Sequence, residues 1–232
     1  MTRTTVKPTE LSDESPGESA SEGSRVTEVY EQILLQIVRG ELRGGTELKS
    51  TQIAQQLGLS RTPVVQALQR LAADGIVSLE MNKRAVVRPG AENWLVEIHE
   101  LRELLEPAAA ARAAERITDA DLAELDRLAD QSRPHSRSDW QAAAQQFDFA
   151  LHLTIAKHSG NFALGETIRK IWAFKRISYL AIPEPAETIE KGHGEHMALV
   201  EALRARDAET ARAAMLYHLR SVAAHRSSKT IV

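Results

Sequence analysis

Four side chains in the C-terminal half of this 232-residue chain have the types and spacing to hold a metal ion. Asp148 and His152 stand i, i+4 on one predicted helix, so both project from the same face a turn apart. His196 and His218 are centred on residue 207, at an Arg206-Asp207 break between two predicted helices. If those helices fold back as a hairpin, the two imidazoles are equidistant from the turn and stand level with each other. Three His and one carboxylate suit Zn²⁺ foremost, or Ni²⁺, Mn²⁺ or Fe²⁺, with the remaining positions open to water or a ligand. Spacing alone leaves another reading open, in which these histidines are scattered over helix surfaces or hydrogen-bonded in a core. His99, His135, His158, His193 and His225 have no such partner pattern and read as surface or packing residues, although His193 lies one turn before His196.

A second kind of chemistry lies nearer the N-terminus. Segment 51–71, TQIAQQLGLSRTPVVQALQRL, has the spacing of a helix-turn-helix: Ala54 is small where two helices cross, Gly58 sits at the turn and Leu59 plugs the core. Such a unit sets the first turn of its second helix against the major groove of DNA. Here that turn offers Arg61 and Thr62, with Thr51 at the start of the preceding helix. Arg61 can pair with guanine O6/N7 or with a phosphate, and the free N–H groups of the helix start can bind phosphate as well. Arg70, Lys83, Arg84 and Arg88 are further candidates for backbone contact, or else solvated surface charges.

The elements that position these residues follow from periodicity and punctuation. Residues 1–24 are rich in Ser, Thr, Glu and Pro and read as a disordered tail. From Val26 to Gly40 apolar residues recur at helical spacing. A short helix near 51–57 follows, and then one from Ser60, a good N-cap residue, to Gly75, with Pro63 tolerated in its first turn. Residues 76–79 and 85–87 flank a polar turn and read as a hairpin. This order is that of a winged helix-turn-helix, and Pro89-Gly90 marks its end. Beyond it, helices are predicted near 92–115, 119–132, 138–158, 161–181, 187–205 and 207–225, which implies an antiparallel bundle. The fold class is therefore mainly α: a winged head over 25–89, a helical domain over 90–226 and a short tail over 227–232.

Composition limits what the whole can be. Hydrophobic residues make up 43% and charged residues 26%, enough for two modest cores. No apolar run is long enough to span a membrane, the first residues lack a secretory apolar stretch, and no cysteine exists for a disulfide or thiolate site. A cytoplasmic location is expected by elimination. The net charge of −3 argues against a nucleic-acid binder only until it is mapped along the chain. Residues 25–90 carry nine Lys/Arg against six Asp/Glu, whereas the flanking segments are acidic, so any phosphate-binding surface belongs to the head.

VYEQILLQIVRGELRGGTEL followed by IAQQLGLSRTPVVQALQRLAADGIV resembles the GntR family of bacterial regulators over nearly all of residues 26–88. The resemblance implies a homodimer that grips a palindromic operator in double-stranded DNA with this helix and the wing. Two departures stand out. Val65 and Gln66 occupy positions where the family usually has Arg and Glu, and Arg84 lies near a wing position that is often Gly. Val65 cannot make a guanidinium contact, so an altered operator or weaker readout is expected.

FDFALHLTIAKHSGN and EHMALVEALRARDAETARAAMLYHL, with LRELLEPAAAARAAERI before them, resemble the FCD ligand-binding domain of the FadR subfamily over 92–225. Metal-binding members carry Asp-x-x-x-His, a His on the penultimate helix and a His on the last. Asp148, His152, His196 and His218 match those positions. The resemblance implies a metal at the centre of the bundle that helps to bind a small carboxylate. Arg102 would lie near that effector, unless it is spent on Glu106 at i+4. Asn161, Arg169 and Tyr179 are further pocket candidates. The expected function is a transcription regulator, a repressor whose operator affinity the acid controls. Two rivals remain: a metalloenzyme fused to a DNA-binding head, for which no motif places a general base, and a regulator whose metal is purely structural.

Overall fold

The computed structural model describes residues 16–80, 84–181 and 184–227, in two units divided between Glu92 and Asn93. In the first unit, α1 (Pro16–Val38) buries Val29, Tyr30, Ile33, Leu34 and Ile37 along one face. It begins inside the segment expected as a tail, and residues 1–15 of that tail lie outside the described residues. α2 (Ser50–Leu57) ends where Gly58 takes φ 64°, a left-handed conformation that costs glycine little. The Leu59 N–H then donates to the Ala54 carbonyl, which turns the chain into α3 (Arg61–Ala73). Ser60 is the N-cap of α3 as expected, but its side chain makes no capping hydrogen bond.

α3 buries Pro63, Val64, Ala67, Leu68 and Leu71 and leaves Arg61, Thr62 and Val65 on its outer face. The hairpin of β2 (Val77–Leu79) and β3 (Ala85–Val87) pairs antiparallel, Val77 opposite Val87 and Leu79 opposite Ala85. A further two-residue strand, β1 (Glu47–Leu48), adds to the other edge of β3, giving the order β1-β3-β2. Gly44 makes this closure possible, because a Cβ there would stand 2.7 Å from the Pro89 Cα.

The second unit starts with one 3-10 turn's last residue, Asn93, and runs through six helices: α4 (Trp94–Ala114), α5 (Asp119–Gln131), α6 (Trp140–His158), α7 (Phe162–Ala181), α8 (Ala186–Arg204) and α9 (Ala208–Ser227). Side-chain caps set two of the starts: the Thr118 hydroxyl accepts from the Asp121 N–H, and Asp207 accepts from the Thr210 N–H. α4 is the helix the others surround. Its Ala109, Ala110, Ala113 and Ala114 are wholly buried, and such small side chains let neighbouring helices pack closely. The core continues through Phe147, Leu151 and Ile155 on α6, Trp172 on α7, Leu199 and Leu203 on α8, and Met215 and Leu219 on α9. Phe147, Leu151 and Ile155 recur every four residues, which fixes the rotation of α6 and turns the adjacent stripe, Asp148 and His152, inward. Among the described residues, no helix is long and apolar enough to cross a membrane.

Candidate metal centre

α6, α8 and α9 bring Asp148, His152, His196 and His218 to one point. One ligand atom from each lies within 4.8 Å of all the others. The Asp148 Oδ1 is 3.3 Å from the His152 Nε2 and 3.1 Å from the His196 Nε2, while the Nε2 atoms of His196 and His218 face each other at 3.2 Å. The three imidazoles are buried. The Asp148 Oδ1 and His152 Nε2 have no hydrogen-bond partner of adequate geometry, which is costly for buried polar atoms. A cation at the point where these atoms converge would satisfy the two left without a partner, so this donor set fits a divalent metal.

Carboxylates behind the cluster fix the tautomers. The His152 Nδ1 donates to the Glu106 Oε2, and the His218 Nδ1 donates to the Glu195 Oε2 at 2.9 Å. Each such bond directs the Nε2 lone pair at the centre, the arrangement common behind metal-bound histidines. Tyr179 donates its hydroxyl to the Asp148 Oδ2. Burial, with the neighbouring His196, pushes His218 down to about 3, so it is neutral and able to ligate. Burial would raise Asp148, but the close approach and charge of His152 and His196 hold it well below the usual carboxylate range. Burial would likewise raise Glu106, yet the Arg102 guanidinium and His152 hold it at about 2.

A cavity of about 50 Å³ opens beside these atoms, lined by Arg102, Lys175, Tyr179, His193, His196 and His218 among others. Arg102 lines the cavity and is also paired with Glu106. Its Nε donates to the Glu106 Oε1 at 2.6 Å, and its guanidinium lies 4.4 Å from the Trp172 ring centroid. Its Nη2 is buried with no hydrogen-bond partner. Lys175 stacks on the Tyr179 ring at 4.3 Å and stands 3.7 Å from the Glu184 carboxylate.

Asn161 and Arg169, expected in the effector pocket, are elsewhere. Asn161 accepts from the Leu164 N–H in the first turn of α7, and Arg169 pairs with Glu166 in solvent. Both line a separate surface groove with Lys157 and Phe162. Three of the other histidines hold packing or surface roles, as expected. His99 bonds to the Leu219 carbonyl at 2.9 Å, His135 pairs with Glu190, and His158 pairs with Asp121. His193 lines the cavity with its ring edge-on to Phe147, but lies outside the four-residue cluster. The side chain of His225 is outside the described residues.

In the head, Arg61 and Thr62 are exposed in the first turn of α3, and Thr51 is exposed in the first turn of α2. Val65, one turn beyond Arg61, is 36% exposed on the face that a base-reading residue would use. Arg70 lies over the Tyr30 ring at 4.4 Å, and the Tyr30 hydroxyl donates to Asp74. That stacking ties Arg70 to α1 and competes with the phosphate contact expected of it. Arg84 stands 3.3 Å from the Glu47 carboxylate across the sheet, and Lys83 lies outside the described residues.

Comparison with known proteins agrees with these two halves. Residues 25–87 match the model of bacterial regulatory proteins of the gntR family, and residues 97–221 match the FCD domain. The chain is 32% identical to the HTH-type transcriptional regulator McbR of Escherichia coli K12 over 76% of its own length and 81% of the relative's. It is 29% identical to the HTH-type transcriptional regulator LutR of Bacillus subtilis 168, covering 80% and 94%. The solved structure of E. coli McbR/YncC superposes with a TM-score of 0.62 at 26% identity, covering 89% of this chain and 98% of that one. These relatives are transcriptional regulators, not enzymes. With a helix-turn-helix of the matching family joined to an FCD ligand-binding domain, the chain belongs to the gntR family and is a DNA-binding transcriptional regulator.

Proposed function

We propose that the C-terminal domain holds one divalent metal ion, zinc foremost, on Asp148, His152, His196 and His218, and that a small carboxylate bound beside it controls operator affinity. The observation that carries this reading is the convergence of four ligand atoms from three helices within 4.8 Å. A divalent metal would supply a Lewis-acid centre to which a carboxylate oxygen can bind. Arg102 supplies the second point of recognition: its buried, unpartnered Nη2 offers a charge-assisted hydrogen bond to the same carboxylate. The cavity beside the cluster, lined by Arg102 and Tyr179, gives such an acid a place to bind.

The regulator acts as a homodimer on a palindromic operator, with recognition helices roughly 34–36 Å apart. Arg61, Thr62 and Thr51 contact DNA, with Lys83, Arg84 and Arg70 as subsidiary phosphate contacts. Repression in the absence of acid is the state proposed. α4 carries both Arg102 and Glu106 and follows β3 after residues 88–93 only, so a change at the acid site reaches the head by a short covalent path. An acid can switch the protein only by binding its two states unequally.

Fluorescence anisotropy of labelled operator DNA tests the scheme. The zinc-loaded protein should bind tightly and be released by one acid from a panel. Unchanged operator affinity across the whole panel, with acid binding established separately, would leave the metal with a structural role alone.

A further inference from the structure

Glu106 is wholly buried and has no ligand of its own to hold, yet it is bonded on both oxygens. Its Oε1 accepts from the Arg102 Nε at 2.6 Å and from the Trp172 indole N–H at 3.0 Å, and its Oε2 accepts from the His152 Nδ1. Arg102, Glu106 and His152 are each no more than 3% exposed in their side chains, so water does not screen this chain. Arg102 also lines the cavity, and its Nη2 is buried without a hydrogen-bond partner. The second carboxylate behind the cluster is different. Glu195 meets His218 at 2.9 Å, and the cation beside it is Lys191, at 3.8 Å, rather than Arg102.

We infer that Glu106 is a positioning residue that couples anion binding at Arg102 to metal binding through His152, whereas Glu195 only orients His218. This rests on the metal and carboxylate reading given above. The physical reason is charge competition. An anion on the Nη2 takes up part of the guanidinium charge that now compensates Glu106. The Glu106 carboxylate then accepts more strongly from the His152 N–H, which makes the opposite ring nitrogen a better donor to a metal. Linkage makes the effect reciprocal: whatever factor the anion adds to metal affinity, the metal adds to anion affinity.

The experiment measures zinc affinity of the full chain by competition with a chromophoric chelator, with and without acetate, glycolate or succinate as the probe anion. Calorimetry establishes that the probe binds. In the wild type a bound probe should tighten zinc by about tenfold. Glu195→Gln should weaken zinc by about 10–100-fold while the probe still tightens it by the wild-type factor. Glu106→Gln should weaken zinc similarly, but the probe's factor should fall below the wild-type value, to the part that the carboxylate's own bond to the metal supplies. Arg102→Lys keeps the His152 acceptor in place but loses the Nε bond to Glu106; the probe's factor should fall below the wild-type value here too, and this variant decides the matter if Glu106→Gln does not fold.

An unchanged factor in both Glu106→Gln and Arg102→Lys overturns the inference. So does a wild type that binds zinc and probe independently, a result that leaves the proposed function standing. A wild type that takes up no zinc, or binds none of the three anions, overturns the proposed function and this inference together.

Discussion

His196 and His218 face each other through their Nε2 atoms at 3.2 Å, although they lie on different helices and 22 residues apart. Two imidazoles hydrogen-bonded to each other need only one proton between them. Here Asp148 also aims an oxygen at the His196 nitrogen, and the His218 Nδ1 is already committed to Glu195. The pair is therefore one edge of a four-cornered donor set, and predictions about stability and binding follow from treating it so.

Removal of metal should destabilise the helical domain. A ligand that binds only the folded state stabilises it by about 2.7 kcal/mol when present at a hundred times its dissociation constant. Differential scanning calorimetry with a chelator, then with zinc restored, should show a lowered and then recovered melting temperature. The head, whose core is Leu34, Ile37, Val64, Leu71 and Ile76, should melt unchanged if it unfolds as a separate transition.

Removing the Arg102 charge should cost stability even without any effector. Arg102→Met would leave Glu106 buried without its cationic partner, a change of about 3–5 kcal/mol. Urea denaturation of metal-free protein measures this. A loss below about 1 kcal/mol would mean that solvent reaches Glu106 more readily than its burial implies.

On the DNA side, Arg61→Ala should weaken operator binding by about 1–3 kcal/mol if Arg61 reads a guanine, and should relax preference at one base position. If it meets a phosphate instead, affinity should fall on every sequence and the salt dependence should flatten by about one unit of slope. Anisotropy titrations at several salt concentrations separate the two.

Val65→Arg adds a guanidinium one turn beyond Arg61, on the exposed face of α3. Operator selection from a randomised library should then shift preference at one base pair in each half-site, worth about 1–3 kcal/mol. An unchanged preference would place position 65 outside the base-reading surface.

What could be read in the sequence divides along physical lines. The i, i+4 spacing of Asp148 and His152, and the symmetry of His196 and His218 about the Arg206-Asp207 turn, are local consequences of helix geometry, so they were legible. The break between the last two helices of the bundle was legible at Arg206-Asp207, where Asp207 caps the last one. β1 was not legible, because a two-residue strand carries no alternation and is held only by its pairing to β3. The bond from His152 to Glu106 spans 46 residues, and nothing in the local pattern of either announces it. Arg169 lies away from the cavity beside the cluster for a geometric reason. It stands ten residues before Tyr179 on α7, about 15 Å along the axis and on another face. Lys175, one turn before Tyr179, lines the cavity with it.

Metal content tests the central claim most directly. Elemental analysis of the purified wild-type protein, loaded with zinc and desalted, should give one equivalent per chain, and His196→Ala and His218→Ala should each reduce it to a small fraction while both variants keep their helical circular dichroism. A zinc content unchanged by either substitution would mean that these four side chains do not share a cation.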